Sequence, residues 1–298
     1  MKLLYGGIEL GGTKTVCALG TGPDDVRALD RFPTTTPGET LRRAAAFFRE
    51  APQPPAALGI GSFGPVDVDP TSPRYGHILD TPKLRWSGAD VAGTLGDALG
   101  LPIVLDTDVN VAALGEQRWG AGQGADPLLY ITVGTGFGGG VIVHGRPVHG
   151  LLHPEMGHVL VRRAEGDAFA GHCPFHGDCL EGMAAGPALE ARWGTRAEHL
   201  PEDHAAWPLE AHYLAHALVG FILTLMPQRI VLGGGVMHQR QLFPLVRQQV
   251  QTLLNGYLDR PQVRSEIDAY VVPPGLGDRA GVLGALALAQ TAHAPLAA

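Results

Sequence analysis

Two cysteines and a histidine stand three apart in "CPFHGDC", which gives Cys173, His176 and Cys179 a C-x-x-H-x-x-C spacing. Dithiol redox chemistry wants C-x-x-C, so five intervening residues read as a metal site instead. Thiolate and imidazole are ligands that suit Zn2+, and three of them leave a tetrahedral site one short. His172 is a neighbouring candidate for the fourth place. A second constellation is "LDTDVN", where Asp106 and Asp108 lie between the apolar "PIVL" and the helix-like "VAALGE". A carboxylate at a strand end can take a proton from an alcohol, and an aspartate capping the helix would have the same sequence. "HPEMGH" sets Glu155 between His153 and His158, but Pro154 and the spacing exclude a zinc-protease helix.

Glycine turns form the third group. "ELGGTK", Glu9 to Lys14, and "TVGTGFGGG", Thr132 to Gly140, offer backbone N–H groups without Cβ obstruction. The first adds the Thr13 hydroxyl and the Lys14 charge, a combination suited to phosphate. Gly134, Gly136 and Gly139 satisfy G-x-G-x-x-G, yet they lead into the strand "GGVIVH" where a dinucleotide site needs a helix. Neither turn has the spacing of a P-loop.

The elements that must position these groups repeat. "LLYGGIELGGTKTVCALG" and "LLYITVGTGFGGGVIVHG" both read strand, glycine turn, strand. "PIVLDTDVNVAALGE" and "AYVVPPGLGDRAGVLGALALA" both read strand, loop with an aspartate, small-residue helix. Helical periodicity falls on "GETLRRAAAFFREA", "LEAHYLAHALVGFILTLM" and "FPLVRQQVQTLLNGYL". Strands and helices mix in both halves, which predicts an internally duplicated α/β protein. The expected division is an N-terminal lobe over residues 1–113 and a C-terminal lobe over 114–280. The last helix, about 281–298, should return to the first lobe.

The chain has 298 residues, 45% of them hydrophobic and 17% charged, enough to bury two cores. Net charge is −7 and the lysines and arginines never cluster, which argues against nucleic acid and anionic membranes as partners. "MKLLYGGIELGG" reaches glycines before an apolar leader develops, and the apolar run "ALVGFILTLM" stops at Pro227, short of a membrane span. Together with three cysteines, an odd number, this predicts a cytoplasmic protein without a disulfide framework. Cys17, in an apolar strand, reads as a small core residue.

Taken in order, "GGIELGGTK", "GIGSFGPVDVDP", "YGHILDTPK", "LDTDVNVAALGE", "ITVGTGFGGG", "HPEMGH", "CPFHGDCLEG", "IVLGGGVM" and "PPGLGDRAGVLGALALA" cover nearly the whole chain. This series resembles the ROK family of sugar kinases and repressors, in its fructokinase branch. The resemblance implies a two-lobed actin-like ATPase fold, ribonuclease H-like, with a cleft between the lobes. It implies an ATP-dependent hexose kinase, most of all a fructokinase acting on the 6-hydroxyl of D-fructose, with Mg2+ and ATP, a structural Zn2+ and a homodimeric state.

By the same resemblance Gly11, Gly12, Thr13 and Lys14, with Thr132, Gly134, Thr135 and Gly136, would clasp the ATP phosphates. The amides of Gly11, Gly12, Gly134, Thr135 and Gly136 would be the donors, and Gly233, Gly234 and Gly235 would lie against the adenosine. Asp108 would be the catalytic base and Asp106 a structural neighbour. Gly64, Thr107, Asp108, Glu155, His158 and Glu181 would form the sugar side. His158 would complete the zinc site of Cys173, His176 and Cys179. Glu9 stands where the family usually has an aspartate near Mg2+, and Thr107 where glucose-phosphorylating members have asparagine, which leans toward fructose. The alternatives are a ROK glucokinase, mannokinase or N-acylmannosamine kinase, or a non-catalytic sugar-responsive regulator. ROK repressors add an N-terminal DNA-binding domain, for which a first strand starting at Leu3 leaves no expected room.

Overall fold

Six buried or half-buried residues, "YGGIEL", form β1 (Tyr5–Leu10), which pairs antiparallel with β2 (Lys14–Gly22) so that Ile8 faces Cys17 across the ladder. In this computed structural model, which describes residues 3–292 except 82 and 84, β3 (Asp25–Pro33) continues the sheet beside β2. Helix α1 (Pro37–Arg49) begins with proline in its first turn and buries Leu41, Ala44, Ala45 and Phe48, the i, i+3, i+4, i+7 stripe of an amphipathic helix. β4 (Leu58–Ser62) then pairs parallel with β1. Helix α2 (Val91–Leu99) closes on Gly100 at φ 65°, a left-handed cap that glycine takes without strain. β5 (Ile103–Thr107) runs parallel to β4, and α3 (Asp108–Trp119) follows it directly.

The pattern then starts again. β6 (Leu128–Val133), β7 (Phe137–Val143) and the short β8 (Arg146–Pro147) take the places of β1 to β3. Helices α4 (Leu180–Ala184), α5 (Gly186–Trp193) and α6 (Ala206–Leu225) lead to β9 (Arg229–Gly233), parallel to β6. α7 (Leu242–Leu254), α8 (Pro261–Arg264) and α9 (Ile267–Tyr270) precede β10 (Val271–Val272), and α10 (Ala280–Thr291) ends the described chain. The first sheet has the order β3-β2-β1-β4-β5 and the second β8-β7-β6-β9-β10. Strand for strand these are the same topology, so the duplication read from the glycine turns extends to the whole sheet.

The chain divides into two compact units, one of residues up to Gln123, Ile142–Pro154 and from Asp278 onward, the other of Gly124–Val141 and Glu155–Gly277. The sequence reading put the first boundary at residue 113, and that position is the middle of α3. There the helix is locked against α10: a Cβ on Gly115 would stand 2.9 Å from Gly284 Cα, and one on Gly284 would meet the Val111 carbonyl. Val282, Leu283, Leu286 and Leu288 of α10 are buried within the first unit, each contributing about 1.5–3 kcal/mol. α3 therefore cannot be cut, and the chain leaves the unit only after Glu116 has received the Ala121 amide and closed the next turn. The last helix groups with the first unit through Thr291, and residues 293–298 of the expected helix lie outside the described residues.

One expectation about α6 changes. Its helix has 20 residues and is long and apolar enough to cross a membrane by length and composition, whereas the ten-residue apolar run alone was not. The first turns add Trp207, Glu210 and Tyr213, which are buried with Leu214, Leu218 and Ile222 against the unit's interior. Half of the apolar window is covered by protein, as in a core helix.

Candidate functional site

In the first unit the turn between β1 and β2 is tied twice to β3. Thr34 donates its hydroxyl to the Gly11 carbonyl (2.7 Å) and its amide to the Thr13 carbonyl (3.0 Å). Gly11 N–H donates to the Lys14 carbonyl at 3.0 Å and closes the turn. In the second unit the turn between β6 and β7 repeats the device: Gly134 N–H donates to the Gly136 carbonyl (2.9 Å), and Gly186 N–H donates to the Gly134 carbonyl (2.8 Å). This corrects two of the expected phosphate donors. The amides of Gly11 and Gly134 are spent within their own turns, because a turn this tight consumes the first N–H. The amides of Gly12, Thr13, Thr135 and Gly136 make no hydrogen bond with the described residues, which leaves two donors on each turn. Gly234, at φ 93°, lies so close to the end of β6 that a Cβ there would meet the Val133 backbone at 2.4 Å. Gly233–Gly235 thus borders the second turn, while Thr132, in β6, pairs with Gly233.

Glu9, next to last in β1, lies beside the first turn, with Oε2 buried and without a hydrogen-bond partner among the described residues. Burial pushes its carboxyl pKa up, against the pull of Lys14 and Arg31 and a hydrogen bond donated by the Val282 backbone amide. Gly281 makes the room: a Cβ there would stand 2.5 Å from Glu9 Cδ. An orphaned acidic oxygen next to a phosphate-type turn fits a cation brought by a nucleotide.

Asp108 is the first residue of α3. Helix capping, the sequence alternative for it, belongs to Thr107, whose Oγ1 accepts the Asn110 amide at 3.2 Å. Asp108 Oδ1 accepts the Val109 amide at 2.9 Å, at a helix N-terminus that favours negative charge. Asp106, 4% exposed, is held on both oxygens: Oδ1 accepts the Thr107 amide (2.7 Å) and Asn110 Nδ2 (2.7 Å), and Oδ2 lies 2.9 Å from His149 Nε2. That satisfaction marks it as a support for its neighbours. Gly64 abuts His153, where a Cβ would come within 3.2 Å of the imidazole. Val66 N–H donates to His153 Nε2 at 3.3 Å, and burial lowers the His153 pKa, which keeps that nitrogen an acceptor. Neither His149 nor His153 was assigned a role from sequence, since both partners are remote along the chain.

In the second unit Glu155 precedes a short 3-10 turn, Met156–His158. Partial burial, and next the Glu181 carboxylate, raise the Glu155 pKa. Glu181 begins α4 and its Oε2 accepts the Phe137 amide at 2.9 Å, directly after the second glycine turn. A Cβ on Gly136 would come within 2.9 Å of the same oxygen. Two neighbouring carboxylates, each able to accept several hydrogen bonds, suit a ligand rich in hydroxyl donors.

His158, Cys173, His176 and Cys179 also meet, with one ligand atom from each lying within 4.8 Å of all the others. His158 Nδ1 is 3.8 Å from Cys173 Sγ and 3.5 Å from Cys179 Sγ, and Cys173 Sγ is 3.7 Å from His176 Nδ1. In a tetrahedral zinc site with bonds near 2.3 and 2.05 Å, the S···N edge is about 3.6 Å. The cluster fits that edge. Cys173 and Gly177 exchange both backbone hydrogen bonds, a knuckle that aims the ligands inward, and Leu180 N–H ties the loop to the Val159 carbonyl. His172 instead donates its amide to Gly182 and lies outside the cluster. Burial pushes the Cys179 thiol up to about 11, so without a cation this pocket would hold a neutral thiol.

The sequence pattern that defines the ROK family matches residues 5–292. The fructokinase of Zymomonas mobilis is 45% identical over 299 residues, with 98% of each chain covered. That of Pediococcus pentosaceus is 43% identical over 97% of this chain and 99% of its own. Glucokinases of Halalkalibacterium halodurans and Thermotoga maritima align over at least 93% of either chain at 28% identity. Among solved structures, a ROK family glucokinase from Streptomyces griseus in complex with glucose and AMPPNP superposes with a TM-score of 0.76, at 26% identity, over 97% of this chain and 99% of its own.

Proposed function

This chain belongs to the ROK family, and from that premise we infer that it is an ATP-dependent fructokinase, transferring the γ-phosphoryl group of Mg·ATP to the 6-hydroxyl of D-fructose. The observation that carries the sugar is the gap in identity between its fructokinase and glucokinase relatives over the same length of chain. Thr107, beside the base, is in keeping with that choice.

Phosphoryl transfer needs little covalent help from protein, so position and charge do most of the work. Asp108 accepts the proton of the 6-hydroxyl as that oxygen bonds to the γ-phosphorus and the bond to the ADP oxygen breaks. Glu155 and Glu181 accept hydrogen bonds from other sugar hydroxyls, His158 donates one from Nε2, and Gly64 and Thr107 border the sugar. Gly12, Thr13, Thr135 and Gly136 donate amides to the phosphates, Lys14 adds charge, and Gly233–Gly235 receives the adenosine. Glu9 would hold Mg2+ through water, and the ion would neutralise the β- and γ-phosphate oxygens.

The four ligands around His158 would hold Zn2+ in a closed, structural site. With Nδ1 committed to the metal, the His158 tautomer is fixed and Nε2 carries the proton offered to the sugar. The chain works as a cytoplasmic homodimer on this reading.

Coupled ADP-release assays over a hexose panel test the substrate. Fructose should give the highest kcat/KM, and equal or better turnover of glucose or mannose overturns it. Asp108→Asn should cut kcat by about 10²- to 10⁴-fold while sugar binding persists; unchanged ATP consumption would remove Asp108 as the base. Metal analysis of the purified protein should find one zinc per chain, absent after Cys173→Ser.

A further inference from the structure

On this fructokinase reading, we propose that His149 is a positioning residue for the reaction: through Asp106 it holds in place the strand end and first helical turn that carry the base. Thr107, before Asp108, and Asn110, after it, are both fastened to Asp106 Oδ1. The Asp106 carboxylate is buried, and a buried carboxylate keeps its place only when all its lone pairs are met. On Oδ2 the donor is His149 Nε2, at 2.9 Å. The same nitrogen stands 3.4 Å from Asn110 Nδ2, and as the donor to Asp106 it accepts nothing from that amide; the two donors meet on the two oxygens of one carboxylate. Asn110 Oδ1 is buried and has no hydrogen-bond partner among the described residues, so the donation from Nδ2 to Asp106 is what fixes the Asn110 side chain. His149 is reached only after β8 returns the chain to this unit, and its segment runs on toward His153 and the Gly64 loop.

The charged and titratable groups facing His149 are few. β5 contributes Asp106, its own segment His153, and α3 the neutral Asn110. The hydrogen bond to Asp106 raises the His149 pKa above its ordinary value, with burial opposing. The imidazolium form therefore persists past pH 6.5, and above the raised value the ion pair becomes a neutral hydrogen bond. Asp106 is then held less firmly, so turnover declines on the alkaline side.

The test compares wild type, His149→Ala and His149→Gln with D-fructose and Mg·ATP across pH, scaled to the folded fraction from thermal melts. His149→Ala should lose about 10- to 100-fold in kcat, the cost of a displaced base. His149→Gln, which keeps a donor, should recover most of that loss and show no alkaline decline. In parallel, NMR titration of the His149 ring should give a raised value in wild type that falls toward 6.5 in Asp106→Asn. Wild-type kcat in His149→Ala, or a ring titrating at its ordinary value in wild type, overturns the proposal. A wild type inactive on fructose would instead defeat the fructokinase reading, and the ring titration would still decide the pairing.

Discussion

The two glycine turns share a place in the fold and differ in what holds them. Each sits between the first two strands of an equivalent sheet and spends its first amide to close itself. The β1–β2 turn is braced by a neutral hydroxyl, Thr34, and flanked by Glu9 and Lys14. The β6–β7 turn is braced by helical residues instead: the Gly186 amide on Gly134, and the Glu181 carboxylate on Phe137. Each turn thus keeps two amides that bond to none of the described residues, while the braces differ. One turn became a site of charge, and the other was joined through Glu181 to the groups expected to read the sugar.

That contrast can be broken most directly at Glu181. Glu181→Ala should reduce kcat/KM for both fructose and ATP by about 100-fold, since it removes charge-assisted bonds worth about 1.5–3 kcal/mol each. An effect on fructose alone would separate the sugar groups from the second turn. Next in size, if the proposed zinc is bound, chelation or Cys173→Ser should raise the fructose KM about tenfold and lower the melting temperature, because α4 starts at the Cys173–Cys179 loop and carries Glu181. A change confined to melting temperature would leave the loop without a share in the sugar site. A smaller effect concerns acid. Because burial and Glu181 raise the Glu155 pKa, Glu155 takes up its proton at a higher pH than an ordinary glutamate as pH falls. The fructose KM should rise severalfold on the acid side in wild type, and Glu155→Gln should lack that dependence; a KM flat down to pH 4.5 in wild type contradicts it. Least affected should be Thr34→Val, which loses about 1 kcal/mol of bracing at the first turn. The ATP KM should grow a few-fold with the fructose KM unmoved, and an equal change in both would erase the distinction between the turns.

Much of the site was legible in the chain because the signals are local. C-x-x-H-x-x-C, the paired glycine turns and the strand-to-helix step at Asp108 each lie within a dozen residues, and each folds as its own short segment. Helix α3 shows what a local reading lacks: the contact of Gly115 with Gly284, which carries the helix past the expected boundary at 113, joins segments remote along the chain. Asp106 was legible as a support, but its partner was not, since His149 lies far along the chain beyond three strands.

Sequence alone therefore determined the α/β class, the duplication and the family resemblance, and singled out Cys173, His176 and Cys179, because periodicity and spacing are written residue by residue. Only the tertiary structure decided which amides remain free on each turn, that Glu181 reaches Phe137, and that His149 closes on Asp106. Those are hydrogen bonds between remote segments, and the chain carries no local pattern for a partner that the fold brings from another strand.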